Sequence, residues 1–200
     1  MVIKREDLIS KIYFPGAVLA EGFKKGQKVL DIGCATGNFL KKCDAYGMKT
    51  YGVDISSAWL KKAKTNTKAR LKVFDLNSST TPFPTVKFDL ITAFDVIEHL
   101  DSPSKFVEKC YSMLKKGGKL IITTPNLNSF GRYVEKNKWH GYSDKTHKYL
   151  FTIPNLEFIL STNNFKITKS FAPFHPLPLF IQSFINKLGL GGQIWIVGQR

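Results

Sequence analysis

The chain has 200 residues, of which 43% are hydrophobic and 22% charged, so it is long enough to bury a core and has a globular composition. It contains no run approaching the ~18–20 apolar residues that span a bilayer, no signal-peptide core in its first ten residues and no metal-like or disulfide-rich spacing of its three cysteines. These features exclude membrane-spanning and disulfide-scaffold classes and predict a cytoplasmic protein. The net charge of +15 favours an anionic partner, such as nucleic acid, anionic lipid or a phosphorylated substrate.

Strand and helix patterns alternate through the first 126 residues. Buried-strand patterns occur at 27–33, 48–56 and 69–76, at the start of 87–100, and at 118–126. Helical patterns occur at 37–47, 57–66 and 103–118. Because such alternation is typical of βαβ units, we expect an α/β fold, a doubly wound and mostly parallel sheet with helices on both faces.

The pattern changes after residue 126. Residues 126–152 form a long connection rich in Asn, Lys, aromatic residues and His, which indicates a functional segment. A helix is predicted at 153–165, followed by strands at 166–174 and 191–200. The apolar segment 175–190 either covers the edge of the chain's own sheet or lies on an anionic membrane or a lipid tail.

No composition shift marks a boundary between domains. We therefore predict one domain over residues 1–200. Within it, residues 1–126 form a cofactor-binding core, 127–165 an acceptor-side insert and helix, and 166–200 the C-terminal strands.

The stretch "VLDIGCATGNFL" at 29–40 predicts a strand, a glycine turn and a helix. Glycines let a ligand touch the main chain, and a helix start presents backbone N–H groups. The spacing of Gly33 and Gly37 fits neither the phosphate loop GxxxxGK[ST] nor the dinucleotide fingerprint GxGxxG. Asp31, at the end of the buried strand, suits a ligand that carries an ammonium or sulfonium charge.

Two further acids follow the next two strands. Asp54 lies about 20 residues after the turn, where a carboxylate accepts hydrogen bonds from both ribose hydroxyls. Asp75 ends the third strand and can accept a hydrogen bond from an adenine amino group. A cationic amino-acid end, a ribose and an adenine together describe S-adenosyl-L-methionine.

The stretches "VLDIGCATGNFL", "YGVDIS", "FDLITAFDVIEHL" and "LKKGGKLIITTPN" resemble successive motifs of class I S-adenosylmethionine-dependent methyltransferases. Ala35 stands where that family usually has the middle glycine of DxGxGxG. The resemblance implies a Rossmann-like seven-stranded sheet with an antiparallel last strand, and S-adenosyl-L-homocysteine as the product. It implies cofactor contacts from Asp31, Gly33, Cys34, Ala35, Gly37, Asn38, Asp54, Ile55, Asp75, Leu76, Phe94 and Asp95.

The later stretch "KWHGYSDKTHKYLFTIPNLEFIL" resembles methyltransferases of glycan and quinone-type pathways. This implies O-methylation of a small or lipid-linked acceptor, a sugar or a phenolic ring, with peripheral membrane contact as an open alternative. His147 and Asp144 are the candidate catalytic residues, with His147 as general base. Two other functions stay open: a nucleic-acid (RNA) methyltransferase, or an inactive cofactor-binding scaffold subunit.

The run Asp95-x-x-Glu98-His99 resembles a metal-holding run of quinone-pathway O-methyltransferases and small-RNA 3′-end methyltransferases. His147 would then supply a fourth ligand. The alternative is a metal-free reaction that His147 assists. We favour the metal-free reaction and assign no metal ligand.

Overall fold

The computed structural model describes residues 24–173 and 189–200. Its seven strands lie in the order β3-β2-β1-β4-β5-β7-β6. They are β1 (Lys28–Ile32), β2 (Lys49–Asp54), β3 (Arg70–Val73), β4 (Phe88–Phe94), β5 (Leu114–Pro125), β6 (Lys166–Phe171) and β7 (Gln193–Gln199). The α-helices are α1 (Asn38–Ala45), α2 (Ser57–Asn66), α3 (Pro103–Met113), α4 (Phe130–Glu135), α5 (His140–Ser143) and α6 (Ile153–Thr162). Short 3₁₀ helices occupy Ile97–His99 and Lys136–Lys138.

The sheet is mixed, as expected. Strands β1 to β5 pair in parallel, whereas β7 runs antiparallel to both of its neighbours, β5 and β6. Strands β1 and β4 are neighbours, so the segments that follow them meet at the carboxyl edge of the sheet. In open α/β sheets this edge is where ligands bind.

Both faces of the sheet are covered, as two-sided apolar strands require. On β1, Leu30 and Ile32 pack in one cluster and Val29 in another. The first cluster includes Phe106 of α3 and Leu160 of α6. The second cluster includes Cys43 of α1, so helices pack against both faces of the sheet.

Local signals explain where the helices begin. The Ser56 hydroxyl accepts a hydrogen bond from the Trp59 N–H at the start of α2. Thr152 and Asn155 form a reciprocal capping box at the start of α6. Pro103 occupies the first turn of α3, where a missing N–H costs nothing.

Several predicted boundaries are wrong by two to three residues: for example, β3 ends at Val73, so Asp75 lies in the loop after it. The largest error is at the end of α3. The helix predicted to continue to residue 118 ends at Met113, and β5 begins at Leu114 rather than at 118. Leu114 is fully buried and pairs with Phe88, while Gly117, at a φ of 77°, donates its N–H to the Arg200 carbonyl. Strand pairing thus prevails over the local helical pattern in these residues.

The insert after β5 is not structureless, since it contains α4, α5 and a 3₁₀ helix. The predicted amphipathic segment at 175–190 lies outside the described residues, apart from its last two positions. In the part of the chain that is described, no helix is long and apolar enough to cross a membrane. All three cysteines are buried free thiols.

Candidate cofactor and acceptor site

The glycine turn joins β1 to α1 through left-handed backbone. Gly33 and Gly37 have φ values of 72° and 76°, and Ala35 has a φ of 45°. A Cβ on Gly33 would lie 2.6 Å from Val96 Cγ2, so no larger residue fits without a shift. The N–H groups of Gly33 and Cys34 both donate to the Val53 carbonyl, which fastens the turn to β2. Within the turn, the Gly37 N–H donates to the Cys34 carbonyl.

Asp54 braces this turn from the end of β2. Its Oδ2 accepts the Ala35 N–H at 2.9 Å, and its Oδ1 accepts the Ser56 N–H at 2.8 Å. The hydrogen bond from the Ala35 N–H holds Ala35 at its positive φ, at the position where the family usually has a glycine. Each carboxylate oxygen keeps a lone pair for a ribose hydroxyl. Ile55, beside it, is 71% exposed.

Asp31 is a buried carboxyl group, only 3% exposed. The Thr92 hydroxyl donates to its Oδ1 at 2.7 Å. Burial, with a smaller contribution from the nearby negative charge of Asp54, raises the pKa of Asp31 to about 7, although the hydrogen bond from Thr92 acts to lower it. A buried carboxylate with one protein donor is well placed to neutralise a cationic ligand group.

Asp75 has a clear local role as well as a predicted one. It is exposed, and its Oδ1 accepts the Asn77 N–H at 2.9 Å, as in an Asx turn. The half-buried Leu76 follows it and lines a cleft of about 540 Å³ between the loop after β3 and helix α3. The lining of that cleft does not include the glycine turn.

Asp95 follows β4 in a left-handed conformation, with a φ of 53°. Its Oδ1 accepts a hydrogen bond from Gln193 Nε2 at 2.6 Å. Its own N–H donates to the Thr123 carbonyl. Phe94, just before it, packs edge-on against Phe39 of α1. The first residue of β7 therefore holds Asp95 at the carboxyl edge.

Three side chains of the acceptor side converge. One potential ligand atom each from Glu98, His99 and His147 lie within 4.8 Å of one another. Glu98 is 1% exposed and accepts a hydrogen bond from Thr124 Oγ1 at 3.0 Å. Asp95 is not part of this group, although the sequence pattern placed it in the same run.

Hydrogen bonds determine which ring nitrogens carry protons. His147 Nδ1 lies 3.0 Å from the Gly141 carbonyl, which can only accept, so Nδ1 carries the proton. His99 Nδ1 lies 2.9 Å from Thr146 Oγ1, whose own proton goes to Asp144 Oδ1. Both rings therefore have their lone pair on Nε2.

Asp144 stands at the rim of this group, with a side chain that is 48% exposed. Hydrogen bonds from the side chain and the backbone of Thr146 lower the pKa of Asp144. Its Oδ2 lies 3.7 Å from His147 Nε2, which forms an ion pair once that ring is protonated. Asp144 also orients His99 through Thr146.

Sequence reasoning missed four polar residues that hold the site: Thr92, Thr124, Thr146 and Gln193. Each is an ordinary residue type, and three of the four contacts span more than 40 positions in the chain. No local signal marks them. Thr146 is the exception in position alone, because it lies in the "DKTH" run between the candidate residues Asp144 and His147.

Comparisons with known proteins show which family the chain resembles. A methyltransferase-domain family model matches residues 6–170. A ubiquinone biosynthesis O-methyltransferase of Coxiella burnetii is 28% identical over 159 residues, covering 78% of this chain and 60% of that protein. A probable S-adenosylmethionine-dependent methyltransferase of Mycolicibacterium smegmatis is 27% identical, over 75% of this chain and 56% of that protein. The chain thus spans less than two thirds of these relatives.

Solved structures show the same fold. A SAM-dependent methyltransferase from Archaeoglobus fulgidus has a TM-score of 0.68 at 24% identity, over 94% of this chain and 96% of that one. The family match covers most of the chain, and the strand order, the glycine turn and the acids after β1 and β2 are in place. The chain belongs to the methyltransferase-domain family, in the class I fold whose cofactor is S-adenosyl-L-methionine.

Proposed function

We propose that this protein transfers the methyl group of S-adenosylmethionine to a hydroxyl oxygen of a small or lipid-linked acceptor. The observation that carries the proposal is the group of Glu98, His99 and His147, with both imidazole lone pairs on Nε2. It stands beside the cofactor edge, because Glu98 and His99 follow β4 and Asp31 lies on the neighbouring β1. The names of the relatives, which include ubiquinone biosynthesis O-methyltransferases, support an oxygen acceptor of the phenolic kind.

The reaction needs alignment and the removal of one proton. The acceptor oxygen forms a bond to the methyl carbon as the carbon–sulfur bond breaks, and the sulfonium becomes the neutral thioether of S-adenosylhomocysteine. The hydroxyl proton goes to His147 Nε2, where the neighbouring carboxylate of Asp144 stabilises the imidazolium. The turn backbone, Asp31 and Asp54 hold the cofactor so that the transfer is in line.

The same three side chains also fit a divalent cation. Two imidazoles and one carboxylate suit Zn²⁺, Mn²⁺ or Fe²⁺, and the Nδ1–H bond to the Gly141 carbonyl is an orienting contact typical of a ligating histidine. A bound ion would lower the pKa of the acceptor hydroxyl. Because His147 Nε2 cannot take a proton while it ligates an ion, the two roles exclude each other.

Methyl transfer from [³H-methyl]S-adenosylmethionine to 3,4-dihydroxybenzoate, a methyl glycoside and a 20-nucleotide single-stranded RNA tests the proposal. We expect label in the phenol or the glycoside. Label in RNA alone would support the nucleic-acid alternative. S-adenosylhomocysteine binding without transfer to any of the three would contradict the proposal and favour the scaffold alternative.

His147→Gln tests the chemical step. We expect kcat to fall about 10²–10⁴-fold, as for the loss of a general base, while the Kd for S-adenosylhomocysteine stays unchanged. His140→Gln is the matched control, since His140 lies in the same insert but outside the group of three. Turnover that survives excess chelator rules out the metal role, and turnover restored only by added Mn²⁺ or Zn²⁺ rules out the base role.

A further inference from the structure

Asn66, the last residue of α2, makes two hydrogen bonds to the glycine turn. Its Nδ2 donates to the Thr36 carbonyl at 3.0 Å and to Asn38 Oδ1 at 2.7 Å. Thr36 and Asn38 flank Gly37, so both bonds reach the start of α1. No motif or family expectation singles out Asn66.

The polarity of these bonds follows from the Thr36 carbonyl. A carbonyl oxygen can only accept, so the Asn66 atom that faces it is the NH₂ group. The same NH₂ group faces the Asn38 amide, which must then present its oxygen. Because Asn38 Oδ1 faces Asn66, Asn38 Nδ2 and its two N–H donors point away from Asn66. Asn66 thus determines which way the Asn38 amide is turned.

The end of α2 that carries Asn66 is itself held against the turn. A Cβ on Gly37 would lie 2.8 Å from Thr67 Cγ2 and 3.3 Å from Ala63 Cβ. Asp44 of α1 accepts hydrogen bonds from the Thr67 hydroxyl and the Lys68 N–H. The backbone around Asn66 is therefore packed and hydrogen-bonded against α1 and the glycine turn.

The start of α1 has donors to offer. Gly37 precedes this eight-residue helix in the left-handed conformation, and as a glycine it has no side chain to cap the first-turn N–H groups. Asn38, the first residue of the helix, carries two further N–H donors on its side-chain amide. Such a set of donors matches a carboxylate, and the cofactor carries one on its methionine end.

We propose that Asn66 is a positioning residue for the α-carboxylate of the cofactor: it sets the Asn38 amide so that Asn38 Nδ2 donates to that carboxylate. The inference rests on cofactor binding in the proposed function. Asn66 would act on the amino-acid end of the cofactor, whereas Asp54 and the residues after β3 would hold the adenosine end.

Two ligands separate these ends in the full-length chain. S-adenosylhomocysteine carries the carboxylate, whereas 5′-methylthioadenosine shares the adenine, ribose and thioether but lacks the amino-acid end. By calorimetry, Asn66→Ala should raise the Kd for S-adenosylhomocysteine about tenfold and leave the Kd for methylthioadenosine within about twofold. Asn38→Ala should do the same, and the double variant should lose no more than either single variant.

Asn163→Ala is the matched control. Asn163 follows α6 and also donates to a carbonyl and a side-chain oxygen, on Ile159 and Ser104, but it is not at the glycine turn. It should change neither Kd. Equal losses for the two ligands in Asn66→Ala, additive losses in the double variant, or an unchanged Kd for S-adenosylhomocysteine would overturn the role of Asn66 alone. A wild-type chain that binds neither ligand would overturn the proposed function and this inference together.

Discussion

At the scale of single residues, the site combines two carboxyl groups in opposite environments. Asp31 is buried with one donor, whereas Asp54 is half-exposed and accepts two backbone N–H bonds. Burial raises the pKa of Asp31, so this carboxyl group favours its neutral form until a cationic group binds. The two oxygens of Asp54 keep lone pairs for hydroxyl groups. The two residues should therefore respond differently to substitution.

Removing the Asp54 carboxylate should weaken cofactor binding. The loss of a charged acceptor from a buried hydrogen bond costs about 1.5–3 kcal/mol, which is roughly 10- to 150-fold in Kd. Calorimetry with S-adenosylhomocysteine on Asp54→Ala measures this. Asp89→Ala is the control, because Asp89 also accepts a backbone N–H, from Lys28, but lies at the opposite end of β4. Equal affinities of Asp54→Ala and wild type would exclude the ribose assignment.

Asp31 should make stability and binding depend on pH in opposite directions. Its folded pKa of about 7 lies above the ordinary value of 3.8, so the folded state binds more protons between these values. Stability of the free protein should therefore fall as pH rises through this window, by up to about 1.4 kcal/mol per pH unit. Binding of the cationic cofactor needs the ionised form, so its Kd should decrease, by up to about tenfold per unit, until pH 7.

Thermal unfolding of the free protein and calorimetry with S-adenosylmethionine between pH 5.5 and 8 read out the two trends. Asp31→Asn should flatten both trends, because the amide does not titrate. A Kd that keeps the same pH dependence in Asp31→Asn would assign the titration to another group. Asp54 and the histidines of the acceptor side are the groups that would then be tested.

At the scale of elements, the turn between β1 and α1 depends on what packs beneath it. Val96, after β4, lies against Gly33, and Thr67, after α2, lies against Gly37. Both glycines therefore have a positive φ and leave no space for a side chain. This shape is set by two neighbouring connections as well as by the turn's own residues.

Gly33→Ala should destabilise the protein by about 1–3 kcal/mol, because it adds left-handed strain to a contact of 2.6 Å with Val96 Cγ2. Thermal unfolding of the free protein measures this. Gly192→Ala should have little effect, since a Cβ there meets nothing within 4 Å. Gly33→Ala with Val96→Ala removes the contact but not the strain, so it should recover part of the loss. An unaltered melting temperature in Gly33→Ala would contradict this account of the turn.

At the scale of the whole molecule, the net charge of +15 predicts nonspecific binding of polyanions, which differs from recognition of a specific acceptor. Such a charge attracts polyanions without reading their sequence. We expect a labelled 20-nucleotide RNA to bind with an affinity that falls at least about tenfold between 50 and 200 mM salt, equally for purine and pyrimidine strands. Fluorescence anisotropy measures both. Sequence-selective binding that persists at 200 mM salt would contradict this and support an RNA acceptor.

The amino-acid sequence by itself determined the order of the elements, the glycine turn and the acids at the strand ends. These follow from short-range patterns: apolar periodicity, turn residues and the placement of Asp31 and Asp54 after their strands. Helix α2 was predicted to the residue, because Ser56 caps it and no strand pairing competes with it. The start of β5 was not, because the pairing of Leu114 with Phe88 of β4 and the bond from Gly117 to Arg200 outweigh its local helical pattern.

Only the tertiary structure decided which polar side chains meet. Gln193 reaches Asp95 across 98 positions, Thr146 reaches His99 across 47, and Asn66 reaches Thr36 across 30. It also separated Asp95 from Glu98 and His99, which the sequence run had grouped together, whereas His147 lies with Glu98 and His99 as the sequence analysis expected of a fourth ligand. The physical reason is that each contact depends on how distant elements pack: β7 pairs with β5, the insert bonds to the residues after β4, and the end of α2 packs against the glycine turn. Residue spacing along the chain carries no record of this packing.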